Sequence, residues 1–426
     1  MTLAIIGPFI HCNDAGELIV VPKAAILVEN GMISKVIVNP EKNVKADKII
    51  ILQEDQFLIP GFIDCHLHAV QFPNLGLGYD KGLLDWLEAY TFPLELQFSN
   101  EQFATRVFDA VVKRCLSVGT TTACYFASLY TRASVILGQK AAKIGQRAFI
   151  GKVNMNVERN DNYYENLNEC IKETVKFIEE IKEIGSSLVK PIITPRFPLS
   201  CDMPLMKQLA ELAKNENLHI QSHISENLDE ITATSEKYNL PSYAAVFDEA
   251  RLLTEKTILA HGVHLTNNEI TLLKERGTSI IHCPASNTCL KSGLCDVRRL
   301  QSKGITVGLG TDVSGGDSYC MLNAIRAALQ VSTHLEMLNQ NYKALDYKEA
   351  FYLATLGGAK SLKIDKEVGN LEPGKQFDAL IIDLKTLNSL LENLKTYTLE
   401  ENFQRFIYSG DDRNIVQVFV NGNRVK

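Results

Sequence analysis

His66-x-His68, His223 with Glu226 three residues on, His261 and Asp312 are the side chains in this sequence best suited to chemistry, and each ends a separate apolar, strand-like run. Side chains alternate along a strand, so His66 and His68 point the same way from the end of Phe57–Asp64 and can share one cation. Two imidazoles buried side by side without a metal would leave ring nitrogens in need of partners. Imidazole and carboxylate donors without thiolate suit zinc or another divalent first-row ion, and an incomplete shell leaves a place for water. A dication lowers the pKa of such a water, so hydrolysis is the expected reaction. Glu226 is close enough to reach the same cavity without competing for the ion, and a carboxyl group there can move protons between water and substrate. His261 can ligate the ion or hydrogen-bond the attacking water, and the sequence leaves both roles open. Asp312 can ligate and can accept the proton of the water.

Plainer readings exist for several of these groups. Glu226 could cap the helix that follows it, and Asp312 could end the Gly308–Thr311 turn. His219 and His282 read as hydrogen-bonded core residues. Cys283, Cys289 and Cys295 contain no tight pair and do not read as a second metal site. Gly308-x-Gly310 and Gly315-Gly316 are explained by tight turns rather than by a phosphate loop.

The elements that must position these residues alternate between short strands and helices. Eight strands are expected, at Phe57–Asp64, Thr120–Phe126, Ala148–Asn154, Pro191–Thr194, His219–Ser222, Thr257–Ala260, Ser279–Ile281 and Thr306–Leu309. Helical periodicity falls at Gln102–Leu116, Leu167–Ile184, Met203–Asn215 and Met321–Thr333. This α/β pattern fits a closed (β/α)₈ TIM-type barrel or an open doubly wound sheet. The candidate residues end strands one, five, six and eight, where barrel enzymes carry their chemistry, and this favours the barrel. The termini read differently. A hairpin signal at Glu29-Asn30-Gly31-Met32 and strands at Phe377–Asp383 and Val416–Val420 predict a small β-sandwich-like domain from residues 1–56 and 366–426, with the catalytic barrel at 57–365. Lys343–Glu349 and Leu384–Glu401 read as solvated helices or loops.

Lys plus Arg number 44 and Asp plus Glu 50, a formal net charge of −6 without a charge block, which argues against a nucleic-acid or anionic-membrane partner. The ten cysteines are scattered through apolar runs, and the start of the chain lacks a basic stretch before its apolar residues, so a reducing cytoplasm is expected. No run approaches membrane-spanning length.

Pro60-Gly61-Phe62-Ile63-Asp64-x-His66-x-His68, Gln221-Ser222-His223-x-x-Glu226, His261-Gly262, His282-Cys283-Pro284-x-Ser286-Asn287 and Gly310-Thr311-Asp312 together resemble the metal-dependent amidohydrolase superfamily. Within it, Leu84-x-Trp86-Leu87-x-x-Tyr90-Thr91-Phe92-Pro93, Thr194-Pro195-Arg196-Phe197-x-Leu199-Ser200-Cys201 and Gln71 are similar to the guanine deaminase branch. The resemblance implies one zinc ion per subunit on His66, His68, His223 and Asp312, with His261 beside the bound water; the ligand set does not separate zinc from iron or manganese. It implies a purine held by Gln71, Arg196 and Phe197 among His68, His223, Glu226 and Asp312, with Glu226, His261 and Asp312 catalytic, and a homodimer. A mononuclear site is indicated, since the fourth strand runs into Thr194-Pro195-Arg196 where binuclear members carry a bridging lysine. The implied reaction is hydrolytic loss of the 2-amino group of guanine. Arg196, which only donates, suits the O6 acceptor and opposes the 6-amino group of adenine. The alternatives are an amidohydrolase acting on a pyrimidine, a thioadenosine-like nucleoside or a triazine, and a non-catalytic scaffold on the same barrel. His334-Leu335-Glu336 matches one element of the unrelated zinc deaminases, but no P-C-x-x-C follows it.

Overall fold

A computed structural model describes residues 2–41 and 44–426 of the chain. Eight parallel strands, Phe62–His68, Thr120–Phe126, Arg147–Gly151, Val189–Pro195, His219–Ile224, Thr257–His261, Ser279–His282 and Val307–Leu309, pair in sequence order. The short piece Val153–Asn154 extends the third strand against the fourth. Parallel strands covered on both faces read as unbroken apolar runs rather than as alternation, which is why these segments stand out in the sequence. Helices between them start and stop on local signals. Asn100 accepts the Gln102 and Phe103 amides to open Glu101–Ser117, Asp202 accepts the Leu205 amide to open Met203–Asn215, and left-handed Gly145 and Gly277 end Thr131–Ile144 and Asn267–Arg276.

The ring is completed just past the eighth strand. The Asp312 amide donates to the His66 carbonyl at 2.8 Å and the His68 amide donates to the Val313 carbonyl at 2.9 Å. This pairing requires glycine at 310, because a Cβ there would lie 2.9 Å from His66 Cβ and 3.0 Å from its carbonyl oxygen. Inside the barrel, Ile63, Cys65, Cys124, Phe149, Ile192, Ile258, Ala260 and Ile281 form a packed layer closed from below by Leu356, Leu362, Ile364 and Val368. The interior is therefore filled except at the carboxyl ends of the strands.

The expected first strand, Phe57–Asp64, divides. Gln56–Pro60 belongs to the sheet built from the termini, where Leu58 pairs with Phe9 and Ile381, and only Phe62–His68 enters the barrel. The boundary placed before residue 57 thus falls within a strand, and the chain changes sheets at Gly61. A Cβ at that position would meet Thr121 Oγ1 at 2.1 Å. The apolar run is continuous across the change, so hydrophobicity does not reveal it.

The terminal layer is one eight-stranded sheet rather than two stacked ones. It curls until Ile26 and Ile33 share an apolar cluster with Ala379, Ile381 and Phe419. Arg147, at the start of the third barrel strand, donates to both carboxylate oxygens of Asp378 from Nη2, at 3.0 and 3.2 Å, and so joins this sheet to the barrel.

Candidate active site

Strand 1 of the barrel would present alternate residues inward if it were regular, and Ile63 and Cys65 do pack inside. A register shift between Asp64 and Leu67 changes that parity, so His66 and His68 turn toward the barrel axis as well. Asp64 supports the irregularity from beneath. Its buried carboxylate accepts the His66 amide at 3.2 Å, the Thr311 amide at 3.0 Å and the Thr311 hydroxyl at 2.5 Å, tying the first strand to the turn that carries Asp312.

Backbone conformation aims the other groups. Ser225, His261 and Asp312 have φ of 47°, 77° and 49°, left-handed values that cost a non-glycine residue about 1–3 kcal/mol and cluster at functional sites. Each stands at or just past a strand end, where the bend redirects the chain over the barrel mouth.

Four of the expected residues converge on one point. His66 Nε2 and His68 Nε2 lie 3.2 and 3.4 Å from Asp312 Oδ1, and His68 Nε2 lies 3.1 Å from His223 Nε2. His223 Nδ1 donates to the Arg196 carbonyl at 2.6 Å, which leaves its Nε2 with a free lone pair. Burial depresses the pKa values of His68 and His223 well below the usual imidazole range, so both rings are neutral. Burial alone would raise that of Asp312, but His66 and then His261 overcome it and hold the carboxyl well below its ordinary value. Among the described residues, His66 Nε2 and His261 Nε2 make no well-formed hydrogen bond, although each faces a carboxylate oxygen, of Asp312 at 3.2 Å and of Glu226 at 3.3 Å. Bare nitrogens and a charged carboxylate at this spacing fit a dication and are poorly explained as a hydrogen-bonded core. The lone thiol of Cys283 approaches His66, His261 and Asp312, whereas Cys289 and Cys295 do not join the group.

Glu226 does not cap the following helix. Asn227 does, accepting the Asp229 amide at 2.9 Å within a capping box completed by Glu230. The Glu226 side chain instead places Oε2 3.3 Å from His261 Nε2 and accepts the Ser292 hydroxyl on Oε1 at 3.2 Å. Burial, followed by the charge of Asp312, pushes its pKa up to about 8. His261 Nδ1 donates to Asn287 Oδ1 at 2.8 Å, and its Nε2 faces Glu226 and, at 3.7 Å, Asp312 Oδ2. Of the two histidines read as core residues, His219 bonds the Leu362 carbonyl at 2.9 Å, while both nitrogens of His282 are buried without partners among the described residues.

A cavity opens onto this cluster. His68, Gln71, Arg196, Phe197, His223, Glu226, His261 and Asp312 line it, and His66 lies behind them. Leu83, Trp86, Leu87 and Leu290 supply an apolar wall, a mixture typical of small-ligand sites. The arrangement combines a metal-type donor set, a buried carboxyl group whose pKa is raised, and a polar slot with an apolar wall on one side.

Glu95, Glu230 and Ser292 support the site without a sequence signal of that role, and Asn287 does so from within the His282–Asn287 motif. Arg196 is fully buried and forks onto Glu95, Nη1 to Oε2 at 2.6 Å and Nη2 to Oε1 at 3.1 Å, so it is at once an ion-pair partner and part of the cavity wall. The short helix Phe92–Glu95 carries no periodic pattern that would mark its last residue as buried.

Residues 57–425 match the Amidohydrolase family. The chain is 47% identical over 382 residues to guanine deaminase of Homo sapiens, covering 88% of this chain and 84% of that protein. It is 42% identical over 437 residues to guanine deaminase of Dictyostelium discoideum, covering 99% and 97%. A crystal structure of guanine deaminase from C. acetobutylicum with guanine bound in the active site shares 36% identity and a TM-score of 0.94, covering 100% of both chains. With its barrel, its cluster of histidines and aspartate at the strand ends and these full-length similarities, the chain belongs to the amidohydrolase family.

Proposed function

We propose that this enzyme hydrolyses guanine to xanthine and ammonia. The observation that carries the reading is the full-length likeness to guanine deaminases, one of them with guanine in its active site. The cavity agrees with it chemically, because a buried acid of raised pKa, a metal-type cluster and a donor-rich guanidinium surround one slot.

His66, His68, His223 and Asp312 would hold one zinc ion, and iron or manganese suits the same donors. When bound, the ion supplies Lewis acidity and lowers the pKa of a water in the cavity. Gln71, Arg196 and Phe197 hold the purine, with Arg196 donating toward O6 and Phe197 against the ring. Adenine would bring an amino group to the same donor, which opposes its binding. Water attacks C2 while Asp312 takes one of its protons and Glu226, in its acid form, which burial favours, gives its proton to N3. His261 hydrogen-bonds the attacking oxygen. Asp312 then returns its proton to the 2-amino group, the C2–N2 bond breaks and ammonia leaves. Glu226 recovers a proton from the C2 hydroxyl, which leaves xanthine.

The same reading makes the enzyme a cytoplasmic homodimer. Its ten cysteines are free thiols, and Leu387, Leu390 and Leu394, 85%, 66% and 87% exposed, offer apolar surface to a second copy. No helix among the described residues is long and apolar enough to cross a membrane.

Zinc-loaded protein incubated separately with guanine, adenine, cytosine and guanosine tests the substrate. Xanthine and ammonia from guanine alone support the reading, while hydrolysis of another ring in place of guanine overturns it.

A further inference from the structure

Glu95 is fully buried, and its carboxylate is saturated by four donors from three other segments of the chain. Arg196 supplies Nη1 at 2.6 Å and Nη2 at 3.1 Å, Gln71 supplies Nε2 at 3.0 Å, and Tyr163 supplies its hydroxyl at 2.8 Å. An ionised carboxylate has about four lone-pair sites, so Glu95 has no capacity left for a substrate or a proton in flight. It is absent from the cavity lining, whereas both Gln71 and Arg196 line it. Two cavity residues from different barrel loops are thus fixed by one carboxylate behind them.

The consequence is directional. With Nε2 of Gln71 turned to Glu95, its Oε1 lies 3.4 Å from the Ser314 amide, in the loop just past Asp312. Flipping the amide would set an oxygen against the carboxylate and a nitrogen against an N–H, so its orientation is locked. Arg196 keeps its remaining N–H groups, while its plane is set by the two-point contact to Glu95 and by the Phe92 ring 4.9 Å from its central carbon. The cavity therefore presents guanidinium donors and an amide acceptor in fixed positions. An N1–H beside a C6=O, the edge guanine shares with hypoxanthine, is complementary to that pair.

We propose that Glu95 is a positioning residue that sets purine specificity, by holding Arg196 and Gln71 in the polarity that reads the N1–H/C6=O edge. The inference rests on the guanine reading above. It also assigns Tyr163 a role, as the hydroxyl that fills the fourth acceptor site and keeps Glu95 from turning.

The test compares inhibition of guanine turnover by hypoxanthine, which has that edge, with inhibition by unsubstituted purine, which lacks it. In the native enzyme the inhibition constant for purine is expected to exceed that for hypoxanthine at least about tenfold, as for a site built to hydrogen-bond its ligand. Glu95→Gln, with metal content unchanged, should shrink this ratio toward one and raise KM for guanine more than it lowers kcat. Tyr163→Phe leaves the buried ion pair intact and should reduce the ratio partway, which keeps the test available if Glu95→Gln does not fold. A purely structural role would weaken both inhibitors equally and keep the ratio, and that result in either folded variant overturns the proposal. Failure of the native enzyme to deaminate guanine would instead overturn the substrate reading, so the two failures are distinct.

Discussion

His223 donates its Nδ1 hydrogen to the backbone carbonyl of Arg196 at 2.6 Å, so one residue at the end of the fourth barrel strand fixes an imidazole with its main chain and lines the cavity with its side chain. The bond sets the His223 tautomer and aims Nε2 at His68 Nε2, 3.1 Å away, the arrangement a metal ligand requires. Lone pairs this close repel one another unless a proton or a cation stands between them, and a dication can serve several of these donors at once.

Metal binding should therefore stabilise the fold. Removing metal with a chelator is expected to lower the thermal midpoint, and zinc should restore it; an ion at a hundredfold excess over its Kd contributes about 2.7 kcal/mol. His223→Ala should lack bound metal by elemental analysis and show no response to added zinc. A native midpoint indifferent to both treatments would remove the metal from the account.

Glu226 should control the alkaline side of the pH profile. Burial and Asp312 raise its pKa to about 8, so the acid form that can donate a proton is present below that value and lost above it. A bound dication favours the carboxylate and moves the limb toward lower pH, so kcat should fall as pH rises toward 8 or before it. Glu226→Gln keeps the shape of the side chain, should retain metal and should lose about 10²–10⁴-fold in kcat. Undiminished turnover in this variant would assign proton transfer elsewhere.

Gly310 links barrel closure to the site. A methyl group there would press on His66 at 2.9 Å from its Cβ, where the first strand meets the chain past the eighth. Gly310→Ala is expected to cost about 1–3 kcal/mol in chemical denaturation, as overpacking does, and to weaken metal retention by moving His66 relative to Asp312. Stability and metal content equal to those of the native protein would show that the two strands separate freely.

The barrel was legible because its strands are buried on both faces, which turns each into an apolar run ending in a chemically active residue such as His223 or His261. The division of Phe57–Asp64 was not legible, since Phe57, Leu58 and Ile59 are as buried in the terminal sheet as Phe62 and Ile63 are in the barrel. A spacing of two places His66 and His68 on the same side of a strand, but the irregularity that turns them inward alongside Cys65 depends on Asp64 and Thr311, 247 residues apart in sequence. Glu95 was hidden for a similar reason. Nothing in Phe92-Pro93-Leu94-Glu95 distinguishes a saturated buried carboxylate from a solvated one, because its four donors come from residues 71, 163 and 196.

Isotopes at the reacting bond test whether guanine is hydrolysed at C2. Guanine labelled with ¹⁵N in its 2-amino group, incubated with zinc-loaded protein in ¹⁸O-water, should give labelled ammonia and xanthine carrying ¹⁸O at C2 in equal amounts. Unlabelled xanthine oxygen, or no ammonia while metal is bound, would contradict the account.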